Sequence, residues 1–314
     1  MGRVAVVGAK DAVDEQLGIW ARVRGAKLVG RAESLQELQN LLAETKVEVV
    51  EFAGEADGAA LAAAAQAGAH IFIGSCPRSG EHELLQAARL CQQKGRVLQL
   101  PDTLRFCPEY ELAREHVRNG AIGKPGVLRL RRGAVASAEN ADRCLFASLG
   151  WREFDWLRWT FGEVERVQAN QVVHTDAATG QVLSYALVIL KMRAGAIAQV
   201  ELSWAESAEQ SFFELTGDAG MLLHDSRESS PIRWSRGGAG GRADASAAGG
   251  WDSRLAGIDP PWKQRDNLIR HLAGEEAVRL NAEDWLRAMD IVQAARESAK
   301  TGQPVQLAEG GVAR

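Results

Sequence analysis

The chain has 314 residues, 46% of them hydrophobic, enough to bury the core of one large or two medium domains. Its formal net charge is -4 with both signs interspersed, which excludes the basic field a nucleic acid backbone or an anionic membrane would require. The four cysteines, Cys76, Cys91, Cys107 and Cys144, fall in no CxxC or Cys/His spacing, so neither a zinc site nor a disulfide framework is expected.

Arg3 to Gly8 is a β-branched run ending at glycine, followed by an apolar-periodic stretch through Leu17, Ile19 and Trp20: strand, turn, helix. The alternation continues. Strands are expected at Lys27–Val29, Val47–Phe52, His70–Ile73 and Arg96–Leu100, with helices at Leu35–Leu42, Ala59–Ala67 and Glu81–Lys94. Gly68 and Gly95 supply the left-handed helix ends. Such alternation predicts a Rossmann-like parallel sheet covered on both faces, closed by a helix from Pro108 to about Asn119.

After Gly123-Lys124-Pro125 the texture changes to longer strands. Val182–Met192 and Ala196–Trp204 flank an Ala194-Gly195 turn, and Phe212–Thr216 and Met221–His224 flank Gly217-Asp218-Ala219-Gly220, so two hairpins of a large, mostly antiparallel sheet are expected. Helices at Glu153–Phe161, Arg265–Leu272 and Ala282–Thr301 make this half an α+β domain. The expected division is 1–122 and 123–314, with a flexible loop over about 235–250, where the glycine- and alanine-rich sequence has little apolar surface to bury. No apolar run is long enough to span a bilayer and the opening has no signal-peptide pattern, so a cytoplasmic location is expected.

Several segments resemble one family. They are Leu104-Arg105-Phe106-Cys107-Pro108-Glu109-Tyr110, Asn119-Gly120-Ala121-Ile122-Gly123-Lys124, Asp155-Trp156-Leu157-Arg158-Trp159 with Gly162-Glu163-Val164, and Thr216-Gly217-Asp218-Ala219-Gly220. Together with the ending Ala299-Lys300-Thr301-Gly302-Gln303-Pro304-Val305, they are similar to the glucose-fructose oxidoreductase, inositol dehydrogenase and MocA (Gfo/Idh/MocA) oxidoreductases, in order along nearly the whole chain. The resemblance implies a nicotinamide dinucleotide on the first domain, a sugar- or polyol-like substrate against the second, and hydride transfer between them. It also implies a homo-oligomer formed through the second-domain sheet. Phe212, Trp204 and Ile197 fit that surface and fit an internal core equally. Neither a metal nor a nucleic acid or membrane partner is implied.

The family's functional positions are altered here. Its glycine-rich turn reads Gly8-Ala9-Lys10-Asp11-Ala12-Val13, so only the first glycine of GxGxxG is kept and Lys10 stands at the second. Arg31 follows the second strand where an acidic residue is usual. An arginine there favours the 2′-phosphate of NADP(H) over NAD, and a solvated surface arginine is the alternative. The lysine position after the fourth strand holds Ser75 or Cys76, neither of which carries a fixed positive charge. In Ser148-Leu149-Gly150-Trp151-Arg152-Glu153-Phe154-Asp155, Arg152 replaces the histidine and Ser148 the upstream acid, and arginine cannot shuttle a proton at neutral pH.

The remaining candidates are few. By analogy Glu153, Asp102 and Tyr110 lie on cleft-facing segments and could offer a substitute acid, or be solvated or capping groups. Arg105, Trp151 and Arg152 could form a substrate site for a carboxylate or phosphate. The two arginines could instead be structural, pairing with Asp155 and Glu109. None of the six histidines lies in a motif. Two functions follow: an NADP(H)-preferring oxidoreductase with impaired or substituted acid-base chemistry, or a non-enzymatic ligand-binding or partner subunit on the same scaffold.

Overall fold

The computed structural model describes residues 2–54, 56–74, 81–101, 104–136, 144–175, 180, 182–228, 232–236 and 259–308. The chain divides into two compact units, Met1–Phe106 with Ile258–Trp285, and Cys107–Gly257 with Leu286–Arg314. This differs from a single break after residue 122, because each unit is discontinuous in sequence. Most of the glycine-rich stretch 235–250 lies outside the described residues.

The first unit is built on β1 (Gly2–Val7), β2 (Ala26–Ala32), β3 (Val49–Phe52), β4 (His70–Ile73) and β5 (Leu98–Gln99). They form a parallel sheet in the order β2-β1-β3-β4-β5. Near-continuous apolar runs such as Val4-Ala5-Val6-Val7, all buried, are what a sheet covered on both faces requires. Helices α1 (Lys10–Trp20), α2 (Leu35–Glu44), α3 (Gly58–Gln66) and α4 (Glu81–Gln93) connect the strands. The order reverses between β1 and β3, so a crevice opens at the carboxyl ends of those two strands.

A helix from far along the chain completes this unit. α7 (Pro260–Leu272) packs Leu268 and Ile269 against Val4, Val6, Trp20 and Phe72, on the same sheet face as α1. Its Arg265 forms a buried ion pair with Glu51 in β3 and donates to Gln16 of α1. The carboxylate also accepts from the Trp20 indole. Position along the chain would put this helix in the second domain; the buried charge pair ties it to the first.

The second unit opens with α5 (Pro108–Arg118), a helix expected to close the first domain. It belongs here because the Trp156 indole donates to the Tyr110 carbonyl at 3.1 Å, and the Tyr110 ring packs edge-on against Trp156 and Phe213. The sheet contains β6 (Pro125–Val135), β7 (Val164–Thr175), β8 (Val182–Met192), β9 (Ile197–Ser203), β10 (Ala205–Gly217), β11 (Gly220–Asp225), β12 (Arg233–Arg236) and β13 (Val305–Gln306). Its order is β12-β11-β10-β6-β9-β8-β7-β13, antiparallel throughout except for the parallel pair β6 and β9.

Leu128, Leu130, Val188, Val200, Phe213 and Leu215 point to the face covered by α5 and α6 (Trp151–Phe161). The opposite face is open and carries Val127, Tyr185, Leu187 and Ile197, each more than a third exposed. Of the three residues that fitted an oligomer surface and an internal core equally, Trp204 is buried and Ile197 is exposed. Helix α8 (Ala282–Thr301) contributes Ser298, whose hydroxyl accepts from the Ala169 amide on β7. At the β10–β11 turn a Cβ at Gly217 would collide with the Ile122 carbonyl, so only glycine fits. Among the described residues no helix is long and apolar enough to cross a membrane.

Candidate functional site

At the carboxyl end of β1 the chain turns at Gly8 with φ +149°, a conformation side chains rarely adopt. The Gly8 amide donates to the Ala32 carbonyl at 3.0 Å, and the Ala53 amide to the Val7 carbonyl at 2.8 Å, so the ends of β1, β2 and β3 are knit together. A Cβ at Gly8 would stand 3.3 Å from that of Ala53. Helix α1 then starts at Lys10, with Ala9 as an N-cap that offers no side-chain acceptor. The first-turn amides are therefore left for another acceptor, at the positive end of the helix dipole.

This turn can hold a phosphate group in the manner of a dinucleotide pyrophosphate. The residues present fit in part. Gly8 supplies the sharp turn, Ala9 is small and Lys10 is an exposed cation, whereas Asp11 in the same turn places a like charge near any phosphate. Arg31 on β2 is exposed and, among the described residues, held only by a 3.9 Å contact to Asp14 of α1, so its guanidinium is available to a further anion. Ser75, Cys76 and Asp102 lie outside the described residues.

Arg105 is committed elsewhere. It is 2% exposed, donates to the Arg279 carbonyl and pairs with Asp284 at 3.2 Å, all within the first unit. Asp284, which the sequence did not single out, is thus one of its partners. Asp155 lies 3.8 Å from Arg158, one turn along α6.

The start of α6 holds the other candidates. A π-helical turn, Phe146–Gly150, leads into it; such wide turns recur at functional sites. Glu153 is fully buried, and its Oε1 accepts from Arg132 Nε at 2.8 Å and from the Tyr110 hydroxyl at 3.2 Å. Burial and the neighbouring Glu153 charge push the Tyr110 phenol well above its ordinary range. Two of the three groups offered as substitute acids, Glu153 and Tyr110, thus share a buried network with Arg132, while the other Glu153 oxygen has no partner among the described residues. The sequence pointed to Tyr110 and Glu153 but not to Arg132. Its signal was available: on β6, Leu128, Leu130 and Arg132 share a face, and a cation there demands a buried anion.

Trp151 and Arg152 differ from these. Trp151 is 1% exposed, yet its indole nitrogen has no acceptor among the described residues. Arg152 is half-buried, its guanidinium lies 5.6 Å from the Trp151 ring, and its buried Nε is also unsatisfied. Among the described residues Arg152 has no carboxylate partner. Adjacent unsatisfied donors beside a stacked cation form an environment that favours an oxyanion. No group of three or more metal-ligating side chains occurs among the described residues.

Residues 110–223 match the GFO/IDH/MocA C-terminal domain. A D-apiose dehydrogenase of Paraburkholderia graminis is 27% identical over 238 residues, which span 69% of this chain and 61% of that protein. An oxidoreductase from Agrobacterium radiobacter, solved with NAD+, L-tartaric acid and magnesium, superimposes with a TM-score of 0.77 at 18% identity, over 97% of this chain and 98% of that one. The WlbA dehydrogenase from Bordetella pertussis, solved with NADH and UDP-GlcNAcA, gives 0.77 at 17% identity over 98% of each chain.

Proposed function

We propose that this chain, which belongs to the GFO/IDH/MocA family, is an oxidoreductase homologue that binds NADP(H) and an anionic sugar-type ligand, with hydride transfer strongly impaired. The observation that carries this reading is Arg152, a guanidinium without an ion partner among the described residues, beside the unsatisfied Trp151 indole. The two structural relatives add support, since one was solved with a dicarboxylate and the other with a nucleotide sugar acid.

In this reading Gly8, Ala9 and Lys10 receive the pyrophosphate at the start of α1, and Arg31 leaves Asp14 to meet the 2′-phosphate. A bound nicotinamide would supply or accept the hydride. Arg152 orients the substrate through its carboxylate and retains its own proton, and Ser148 beside it has no acidic group. Substrate is held without a group in these positions to move the accompanying proton, a loss worth roughly 10²–10⁴ in rate.

The second reading is a ligand-binding subunit that has no dinucleotide. Asp11 and the missing glycines of the α1 turn favour it. A thermal-shift titration with NADPH and NADH separates the two: stabilisation by NADPH alone supports the first reading, and no shift with either supports the second.

A further inference from the structure

Three strands of the first unit end in register at the carboxyl edge of its sheet. The ladder of β1, β3 and β4 continues one residue past each strand: the Ala53 amide donates to the Val7 carbonyl at 2.8 Å and the Gly74 amide to the Phe52 carbonyl at 2.7 Å. Gly8, Ala53 and Gly74 therefore stand in one row. They lie two residues beyond the row of Val6, Glu51 and Phe72, on the same face of the sheet.

The reason this row is bare of side chains at Gly74 lies beneath it. A Cβ at Gly74 would stand 2.6 Å from Glu51 Oε1 and 3.0 Å from the Phe52 carbonyl oxygen, so the Glu51 carboxylate fills the place a side chain at residue 74 would take. Glu51 is not free to withdraw. Its Oε1 accepts from Arg265 Nη2 and its Oε2 from Arg265 Nε and the Trp20 indole. Arg265 is itself anchored, donating to the Pro261 carbonyl and to Gln16. Through two buried charges, α7 thus fixes an atom that lies against the end of β4.

The strand order gives this contact its consequence. With the 2′-phosphate at Arg31 on β2 and the pyrophosphate at the turn after β1, the other half of a dinucleotide has to run the opposite way, over β3 and β4, the next strands at a spacing of about 4.8 Å. There it meets the row at Ala53 and Gly74. We infer that Glu51 is a positioning residue for the nicotinamide half of the dinucleotide: held by Arg265, it sets the height of the Gly74 backbone over which that half passes. The inference rests on the dinucleotide reading proposed above, and adds that docking of α7 and binding of the nicotinamide half are coupled.

Calorimetric titration of the full chain with NADPH and, separately, with adenosine 2′,5′-bisphosphate tests this, because the second probe carries the phosphates for Arg31 and the α1 turn but has no nicotinamide half. In Glu51→Gln and in Gly74→Ala, NADPH should bind at least about tenfold more weakly, and the bisphosphate within about twofold of the parent chain. Glu51→Asp draws the carboxylate back by one carbon. Combined with Gly74→Ala it should restore part of the lost NADPH affinity, a rescue that general destabilisation does not produce. Circular dichroism melts establish that each variant is folded at the titration temperature, and Gly74→Ala, which leaves both members of the ion pair in place, carries the test if Glu51→Gln unfolds. Variants that keep the parental NADPH affinity, or that lose both probes alike, overturn the inference and leave the dinucleotide reading standing. A parent chain that gives no saturable heat with NADPH overturns that reading and the inference with it.

Discussion

Arg265 on α7 donates to both carboxylate oxygens of Glu51 on β3, at 3.0 Å and 2.5 Å, across 214 positions of sequence. The guanidinium is also clamped between two rings, 4.7 Å from Phe72 and 5.7 Å from Trp20. Both side chains are at most 3% exposed, so removing one partner strands a buried charge.

Arg265→Met or Glu51→Leu alone should therefore cost about 3–5 kcal/mol in urea unfolding, and the double variant should recover a substantial part of that loss. A double variant no better than the worse single one would show that the pair itself is not what holds the helix.

Arg105 and Arg152 make a matched contrast. Arg105→Ala breaks a buried contact with Asp284, whose side chain is 27% exposed, and should destabilise by about 2 kcal/mol after allowance for solvent. Arg152→Ala should leave unfolding within about 0.5 kcal/mol while abolishing thermal protection by a sugar acid such as D-galacturonate. Equal protection of Arg152→Ala and the parent chain would remove Arg152 from the ligand site.

His70 predicts an acid limb of stability. Burial, with the Arg96 charge adding to it, lowers its imidazole pKa from 6.5 to about 4, and its Nδ1 accepts from the Val97 amide. In the unfolded chain the ring takes a proton near pH 6.5, in the folded chain only near 4. The contribution is complete above 6.5 and is lost as pH falls to about 4, at most about 2–3 kcal/mol. Unfolding of His70→Gln followed from pH 7 to 4 should lack that limb; an unchanged slope would assign it to other groups.

Cys91 is fully buried, and that burial pushes its thiol up to about 11. Maleimide labelling at pH 7.5, read by peptide mass spectrometry, should leave Cys91 unmodified in the native chain and modify it in denaturant. Rapid native labelling at that position would contradict the packing of α4.

Much of the first unit was readable because its signals are local. Strand His70–Ile73 and the left-handed Gly68 and Gly95 need nothing beyond a few neighbours. The division into units was not readable, since it depends on Glu51 meeting Arg265 and on Trp156 meeting Tyr110, pairs far apart in sequence. A glutamate inside Val49-Val50-Glu51-Phe52 did announce a buried partner, but not which one. In the site, the replacement at Arg152 was visible from its motif. The engagement of Arg105 by Asp284 was not, because α8 starts far from it along the chain.

The long-range Glu51–Arg265 pair also sets an order of events at the ribosome. At about 5–20 residues per second, roughly 10–40 s separate the appearance of the two residues. Throughout that interval Trp20 and Phe72 have no α7 above them, and Glu51 has no cation. The nascent first unit must wait, with an apolar face uncovered, for a partner translated 214 residues later. A chaperone that shields such a face would find its substrate in this half of the chain, and truncation before Pro260 should leave the parallel sheet insoluble even though every one of its strands is present.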